Sequence, residues 1–337
     1  VNTVVTLTPA PVLDRTYLVD SLREGKVNRA FEVHEYMSGK GLNIARTLHL
    51  AKQPVAAILP IGREDEHLLF PTPHPQILRV VPTEGRVRVN TTIVESGGRT
   101  TNVNQTAVPI SAADWQLVCE LTLEELSTLG ADWLVVSGIH PRVIETGLPI
   151  DLTDLFTRAR EIGIRVGVDT SGPELKNWAR NPLVNLIKPN ADELASLVGR
   201  HLHTIGDALD AGRELCEGGI EIALISLGEA GALGITAHEA HWASAKATKV
   251  VNTTGAGDAT LAGFLSQSRG KANPGGNSRF DLDIPTGLRT AVAWGALAVS
   301  LPTTLIPSLN AAPSATVSTP DRDQMVTGHD VARKNEA

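Results

Sequence analysis

Between Asp132 and Ser226 the chain alternates short aliphatic runs with helical patterns, and this rhythm restricts the fold more than any other feature. Residues 132–138 (DWLVVSG), 164–169, 184–188 and 220–226 read as strands; 151–162, 192–198 and 204–217 read as helices. The strands are near-continuous apolar runs, as expected of strands covered on both faces. Strand and helix alternating in this way build βαβ units on a parallel sheet, and right-handed crossovers place helices on both of its faces. Upstream, 2–8 and 55–59 supply two further strands. Residues 38–52 read as a Gly-rich turn feeding a helix with Ile44, Leu48 and Ala51 on one face. Of the 337 residues 42% are hydrophobic but only 4% aromatic, so the core must be built from Ala, Val, Leu and Ile.

Two stretches break the rhythm. Residues 28–36 and 86–108 are rich in Val, Thr and Asn with rough alternation, and the second turns at Ser96-Gly97-Gly98. They predict antiparallel strands set apart from the parallel sheet, a small β lid drawn from about 14–36 and 86–108. Pro71, Pro73 and Pro75 exclude a regular helix over 70–76. The Gly/Asn-rich stretch 269–285 reads as a surface loop. After Asn310 the composition turns to Ala, Ser, Thr, Pro and charge, which predicts one domain over 1–310 and a disordered tail over 311–337.

The formal net charge of −7 carries no basic stripe, so nucleic acid is not an expected partner. Cys119 and Cys216 have no CxxC spacing; two ordinary thiols in a reducing cytoplasm are the expectation. No signal peptide is read at the start, and no apolar run reaches the ~18 residues of a membrane span. Among the ten histidines His201 and His203 stand closest, in what reads as an exposed turn without a carboxylate or thiol partner.

The strongest local signal is Asn252-Thr253-Thr254-Gly255-Ala256-Gly257-Asp258-Ala259, followed by the helical run TLAGFLSQS. Glycines opening a helix let backbone N–H groups face an anion, and the helix dipole favours negative charge there. Asp258 in the first turn would repel a bound phosphate. Its functional reading is a proton acceptor for a hydroxyl that attacks phosphorus, since phosphoryl transfer needs a residue orienting the nucleophile. The plainer reading is an acidic residue stabilising a helix start.

This stretch resembles the second signature of the PfkB, or ribokinase-like, family of carbohydrate kinases. Three more segments match in family order: Ser38-Gly39-Lys40-Gly41-Leu42-Asn43-Ile44-Ala45 with Gly62 after it, Ile187-Lys188-Pro189-Asn190-Ala191-Asp192-Glu193, and Ser226-Leu227-Gly228-Glu229-Ala230-Gly231-Ala232. Together they cover roughly residues 1–307. The opening Thr6–Arg15, Lys40, Arg86–Asn90 and 291–307 resemble the branch containing 1-phosphofructokinases and tagatose-6-phosphate kinases. The resemblance implies a three-layer αβα sandwich with a mostly parallel sheet and a β lid. It also implies an ATP- and Mg²⁺-dependent phosphotransferase acting on an alcohol group of a sugar phosphate, and a homodimer paired through the lid.

By the same resemblance Asp258 is the catalytic base, and the amides of Gly255, Ala256 and Gly257 form the anion hole. Asp14, Gly39 and Asn43 bind sugar hydroxyls, while Lys40 and Arg88 hold the phosphate already on the sugar, with Lys26 a weaker candidate. Lys188, Ser226, Gly228 and Gly231 line the nucleotide site with Gly255 and Gly257. Asn190 and Glu193 organise Mg²⁺ through water; their spacing equally fits a helix N-cap and its capping-box partner. The role of Asp169 stays open. Ala10, Ser38, Lys52, Ile139 and Val143 depart from the family pattern, several of them beside the sugar site. Fructose 1-phosphate is the expected acceptor. Tagatose 6-phosphate and fructose 6-phosphate are alternatives, and a sugar-phosphate sensor with weak catalysis is an alternative of another class.

Overall fold

A computed structural model describes residues 2–70, 72–267 and 283–326. The chain begins with β1 (Val4–Leu7), β2 (Val12–Val19), β3 (Glu32–Ser38), α1 (Lys40–Leu50), β4 (Val55–Gly62), β5 (Leu78–Thr83), β6 (Arg88–Glu95) and β7 (Thr100–Asn104). It continues through α2 (Ala112–Leu129), β8 (Trp133–Ser137), α3 (Thr153–Glu161), β9 (Arg165–Asp169), α4 (Gly172–Trp178), β10 (Leu186–Ile187), α5 (Ala191–Val198), α6 (Ile205–Glu217) and β11 (Ile222–Ser226). The last elements are β12 (Ala232–Ile235), β13 (Ala240–Ala245), α7 (Ala256–Gln267), α8 (Ile284–Ala298) and β14 (Ala315–Ser318).

Ten strands form the central sheet in the order β14-β13-β12-β11-β10-β9-β8-β1-β4-β5. The seven from β11 to β5 run parallel, and β12, β13 and β14 extend that sheet antiparallel. Successive strand residues feed opposite faces, as the pleat requires. Val5, Leu134, Val136 and Val168 join the core beneath α2–α6; Val4, Trp133, Val135 and Leu186 join the core beneath α1, α7 and α8. The expected three-layer sandwich follows from that split.

Parallel strands bring their carboxyl ends to one edge, where ligands of open α/β sheets bind. Ser137, Asp169 and Ser226 each end a strand there, and Lys188 directly follows another.

The lid is a separate four-stranded sheet, β3-β2-β6-β7. It is mixed rather than wholly antiparallel, because β2 pairs parallel with β6. Register puts Tyr36, Asp14 and Asn90 side by side, with Ser38, Val12 and Arg88 two residues along, so all six share one face. On the other face Leu13, Met37 and Val89 pack with Leu42, Ala45 and Ile61 and anchor the lid on the body.

Phe70–Gln76 forms no regular helix; 3₁₀ turns occupy Arg63–Leu69 and Pro75–Ile77, and Pro71 lies outside the described residues. Of the expected surface loop, 269–282 also lies outside them, and its last residues, Ile284 and Pro285, already open α8.

The expected disordered tail needs correction over residues 311–326. Ala315–Ser318 adds β14 to the sheet edge, and Ile205 and Gly206 donate to the carbonyls of Gln324 and Arg322 at 2.8 and 3.0 Å. Arg322 also pairs with Asp210 at 2.6 Å. Polar composition was a poor guide because an edge strand needs only one covered face, and β14 alternates half-buried Ala315 and Val317 with exposed Thr316 and Ser318. Residues 327–337 lie outside the described part. Among the described residues no helix is long and apolar enough to cross a membrane.

Candidate active site

Helix α7 begins at Ala256, directly after the Gly255 turn, so its first N–H groups point out of the helix without intrahelical partners. The loop before it is tied down twice: Asn252 Oδ1 accepts from the Thr254 amide at 2.9 Å, and its Nδ2 donates to Pro302 O at 3.2 Å. Gly255 has φ +83°, and a Cβ there would lie 3.0 Å from Thr304 Cγ2. A Cβ on Gly257 would stand 3.0 Å from Lys188 Nζ, so the absent side chain leaves that ammonium room beside the helix start. The Ala256 amide makes only a long bond, 3.4 Å, to Thr253 O. These amides and Lys188 therefore lie together at the helix start, where a positive partial charge collects.

Asp258, in the first turn of α7, is 5% exposed. Asn43 Nδ2 donates to its Oδ2 at 2.9 Å. Burial pushes the Asp258 carboxyl up to about 7, with the Asp169 charge adding to the rise; Lys40, the Asn43 bond and Lys188 oppose it. An acid tuned near neutrality suits proton abstraction at physiological pH.

Opposite lies a cluster that sequence patterns did not assign. Asp169, fully buried, meets both Lys40 Nζ and Lys188 Nζ at 3.3 Å through Oδ1. Its Oδ2 accepts from Ser137 Oγ at 3.0 Å, a contact set by the direct pairing of Ser137 with Asp169 across β8 and β9. Although burial opposes ionisation, Lys188, Lys40 and the Ser137 bond hold the Asp169 carboxyl below its usual range. Lys40 is held above its own range by Asp169, against burial, with Asp258 and Glu193 helping. Two buried carboxyls thus diverge: the lysines hold Asp169 down, while burial and the Asp169 charge push Asp258 up.

Other expected residues fall into two groups around this centre. Asp14 and Arg88 project from the lid's shared face. Arg88 donates to Ala10 O at 3.3 Å, to Asn90 Oδ1 at 3.3 Å and to Gln105 O at 3.2 Å. Asp14 is pushed up by burial, which the Ser38 hydroxyl, Arg88, Asn90 and Arg46 counter. Elsewhere on the sheet edge, Asn190 and Glu193 form a full capping box for α5, with bonds of 2.8 and 2.9 Å. Ser226 donates its amide to Pro189 O at 3.1 Å, and Gly228 and Gly231 shape the turn from β11 into β12.

Two of the expected sugar-site residues also have partners within the protein. Lys40 meets Asp169 and lies within electrostatic reach of Asp258 and Glu193. That sets Lys40 beside the Asp169 and Asp258 carboxyls, whereas Arg88 belongs to the lid. Asn43 spends its amide on Asp258 and accepts from Ser38 Oγ at 3.2 Å, so it fixes the Asp258 carboxyl in place. Gly39 caps α1, directly before Lys40. Sequence reading missed Tyr36, whose hydroxyl accepts from the Thr304 amide at 3.2 Å and ties the lid to the loop over Gly255. No local pattern could show a pair 268 residues apart.

Comparison with known proteins agrees. The chain matches the profile described as pfkB family carbohydrate kinase over residues 8–310. It is 32% identical over 274 residues to a 1-phosphofructokinase of Vibrio cholerae serotype O1, covering 77% of this chain and 81% of that protein. It is 30% identical over 299 residues to the 1-phosphofructokinase of Rhodobacter capsulatus, covering 87% and 90%. Phosphofructokinase-2 from Escherichia coli shares the fold with TM-score 0.76 at 24% identity, over 92% of this chain and 96% of that one. A buried carboxyl at a glycine-opened helix start, near two lysines at the carboxyl edge of a lidded parallel sheet, is therefore no isolated resemblance: the chain belongs to the pfkB family of carbohydrate kinases, and is a sugar kinase that uses ATP.

Proposed function

We propose that this kinase is a 1-phosphofructokinase, moving the γ-phosphoryl group of ATP to the C6 hydroxyl of fructose 1-phosphate. The observation that carries the reading is Asp258, buried at the start of α7, held by Asn43 and tuned to about 7. Its carboxylate takes the proton of the hydroxyl as that oxygen attacks the γ-phosphorus, and the bond from phosphorus to the ADP oxygen breaks. Amides 255–257 and Lys188 receive the negative charge of the transferring group, and Lys40 stands between the two reactants. The names of the curated relatives support the choice of substrate.

Asp14 and Gly39 face the sugar hydroxyls in this reading, and Arg88 offers its planar fork to the phosphate at C1. Lys188, Ser226, Gly228 and Gly231 line the ATP site. The fit to Mg²⁺ rests on Glu193, which spends only Oε2 on the capping box. No cluster of three or more His, Cys, Asp or Glu that could hold a metal occurs among the described residues. That suits an ion bound chiefly by water and ATP oxygens, with Asn190 and Glu193 acting through water. When bound, the ion neutralises phosphate charge.

Free Cys119 and Cys216 support a cytoplasmic setting. Phe31 and Val103, 63% and 62% exposed at the lid strands, support a homodimer paired through the lid; light scattering reporting a monomer would count against that.

The substrate test is the initial rate of ADP release with MgATP and fructose 1-phosphate, fructose 6-phosphate, tagatose 6-phosphate or fructose. Preference for fructose 1-phosphate is expected. Preference for a 6-phosphate would move the function to a neighbouring kinase, and binding without turnover would make the chain a sensor.

A further inference from the structure

Arg46 lies on α1 three residues after Asn43, on the same side of the helix. It is 5% exposed, and its Nε, Nη1 and Nη2 are sealed from solvent without a hydrogen-bond partner. A guanidinium in that condition is costly unless its charge serves a neighbour. Asp14 and Tyr36 supply the surroundings. They sit directly opposite each other on β2 and β3, project from the same lid face, and both lie within electrostatic reach of Arg46. His74, in the turn before β5, is the third titratable group that feels it.

The carboxylate of Asp14 is also faced by Ser38 from β3 and by Arg88 and Asn90 from β6. Arg88 already divides its donors among three oxygens. Arg46 has no such distraction, and its sealed nitrogens exclude direct contact with substrate.

We propose that Arg46 is a positioning residue for the sugar site, a buried counter-charge that acts through Asp14 and holds that carboxylate ionised to accept a sugar hydroxyl. The inference deepens the proposed function and rests on its placement of Asp14. It accounts for a full charge kept in the wall of the sugar site with nothing bonded to it.

The test uses Arg46→Met, Arg46→Lys, Asp14→Asn and the Arg46→Met/Asp14→Asn double variant. Fructose 1-phosphate affinity is measured against pH by calorimetry in an Asp258→Asn background, so that the catalytic base does not titrate. Comparing variants cancels the titration of the sugar's own phosphate. Arg46→Met is expected to move the acid limb of binding upward, while Arg46→Lys keeps it and ATP affinity stays as in the parent. In denaturant melts the double variant should be more stable than the two single losses sum to, because each single change leaves one charge uncompensated. If Arg46→Met alone does not fold, recovery of folding in the double variant supports the proposal and continued failure overturns it. An additive cycle, or an unmoved acid limb despite a coupled cycle, overturns it as well. Absence of binding to any sugar phosphate would instead overturn the substrate reading, and the cycle would then decide the Arg46–Asp14 link.

Discussion

Replacing Asn43 by Leu separates two roles that the geometry places on one side chain. Its amide donates to the Asp258 carboxylate at 2.9 Å in a buried setting. A hydrogen bond to a charged group contributes about 1.5–3 kcal/mol, and one pKa unit corresponds to ~1.4 kcal/mol. Losing this donor should therefore raise the Asp258 carboxyl by about one to two units. From a starting point of about 7, the acid limb of kcat/KM moves up to roughly 8–9. At neutral pH, where the parent is about half ionised, the variant then holds the base ionised roughly five- to fiftyfold less often than the parent. The loss should shrink steadily as pH rises. The assay is coupled ADP release at subsaturating sugar phosphate from pH 5.5 to 9.5, each buffer checked with the parent. A variant whose rate falls by the same factor at every pH, with its limb unmoved, would refute the reasoning. Asn43 would then be acting on the sugar alone.

Asp258→Asn should cut turnover by about a hundredfold or more while ATP binding persists, the scale of a lost general base. The same change should stabilise the protein in one pH window. Because the folded carboxyl lies above its unfolded value of 3.8, its contribution is fully present below about pH 4 and is lost as pH rises through about 7. The Asn variant should thus be more stable at pH 8 by about 2–4 kcal/mol and equal to the parent near pH 4, read from urea midpoints; a gain independent of pH would contradict this. Asp169→Asn leaves the buried Lys188 and the partly exposed Lys40 uncompensated, and should cost about 3 kcal/mol of unfolding free energy at pH 7. Lys52→Gly should raise stability by about 0.5–1 kcal/mol, because Lys52 holds φ +59° just beyond α1, a conformation glycine adopts freely; a lowered Tm would show that the lysine side chain makes up for its backbone.

The sheet was legible because buried parallel strands announce themselves as aliphatic runs, and the periodic helices between them fixed their connections. The lid was legible as a change of period and composition, though its third strand, β2, was hidden inside a segment read for its motif. The edge strands β12, β13 and β14 were not legible. They are short, β13 and β14 are only partly covered, and β14 is built from residues that elsewhere make tails. At the site, Asp258, Lys188 and the glycines came from local patterns, since helix starts and tight turns are written in adjacent residues. Asp169 and Ser137 were visible as strand ends, but the bond from Ser137 that holds Asp169 between Lys40 and Lys188 depends on register across β8 and β9. Arg46 and Tyr36 gave no sequence signal: one is an arginine inside an ordinary helix, the other a tyrosine whose partner is 268 residues away.

Strand β14 matters for anyone who shortens this chain. The family match ends at residue 310, and trimming there would seem harmless. It would strip the partner from Trp242–Ala245 and leave a row of unpaired amide and carbonyl groups along the outer margin of a ten-stranded sheet. An open margin of that kind recruits strands from other molecules. It would also cut the clamp at Ile205 and Gly206 that fastens the start of α6. A protein ended at 310 should keep its catalytic groups yet precipitate at concentrations the longer chain tolerates, so the last turns of a polar terminus set the solubility of the whole enzyme.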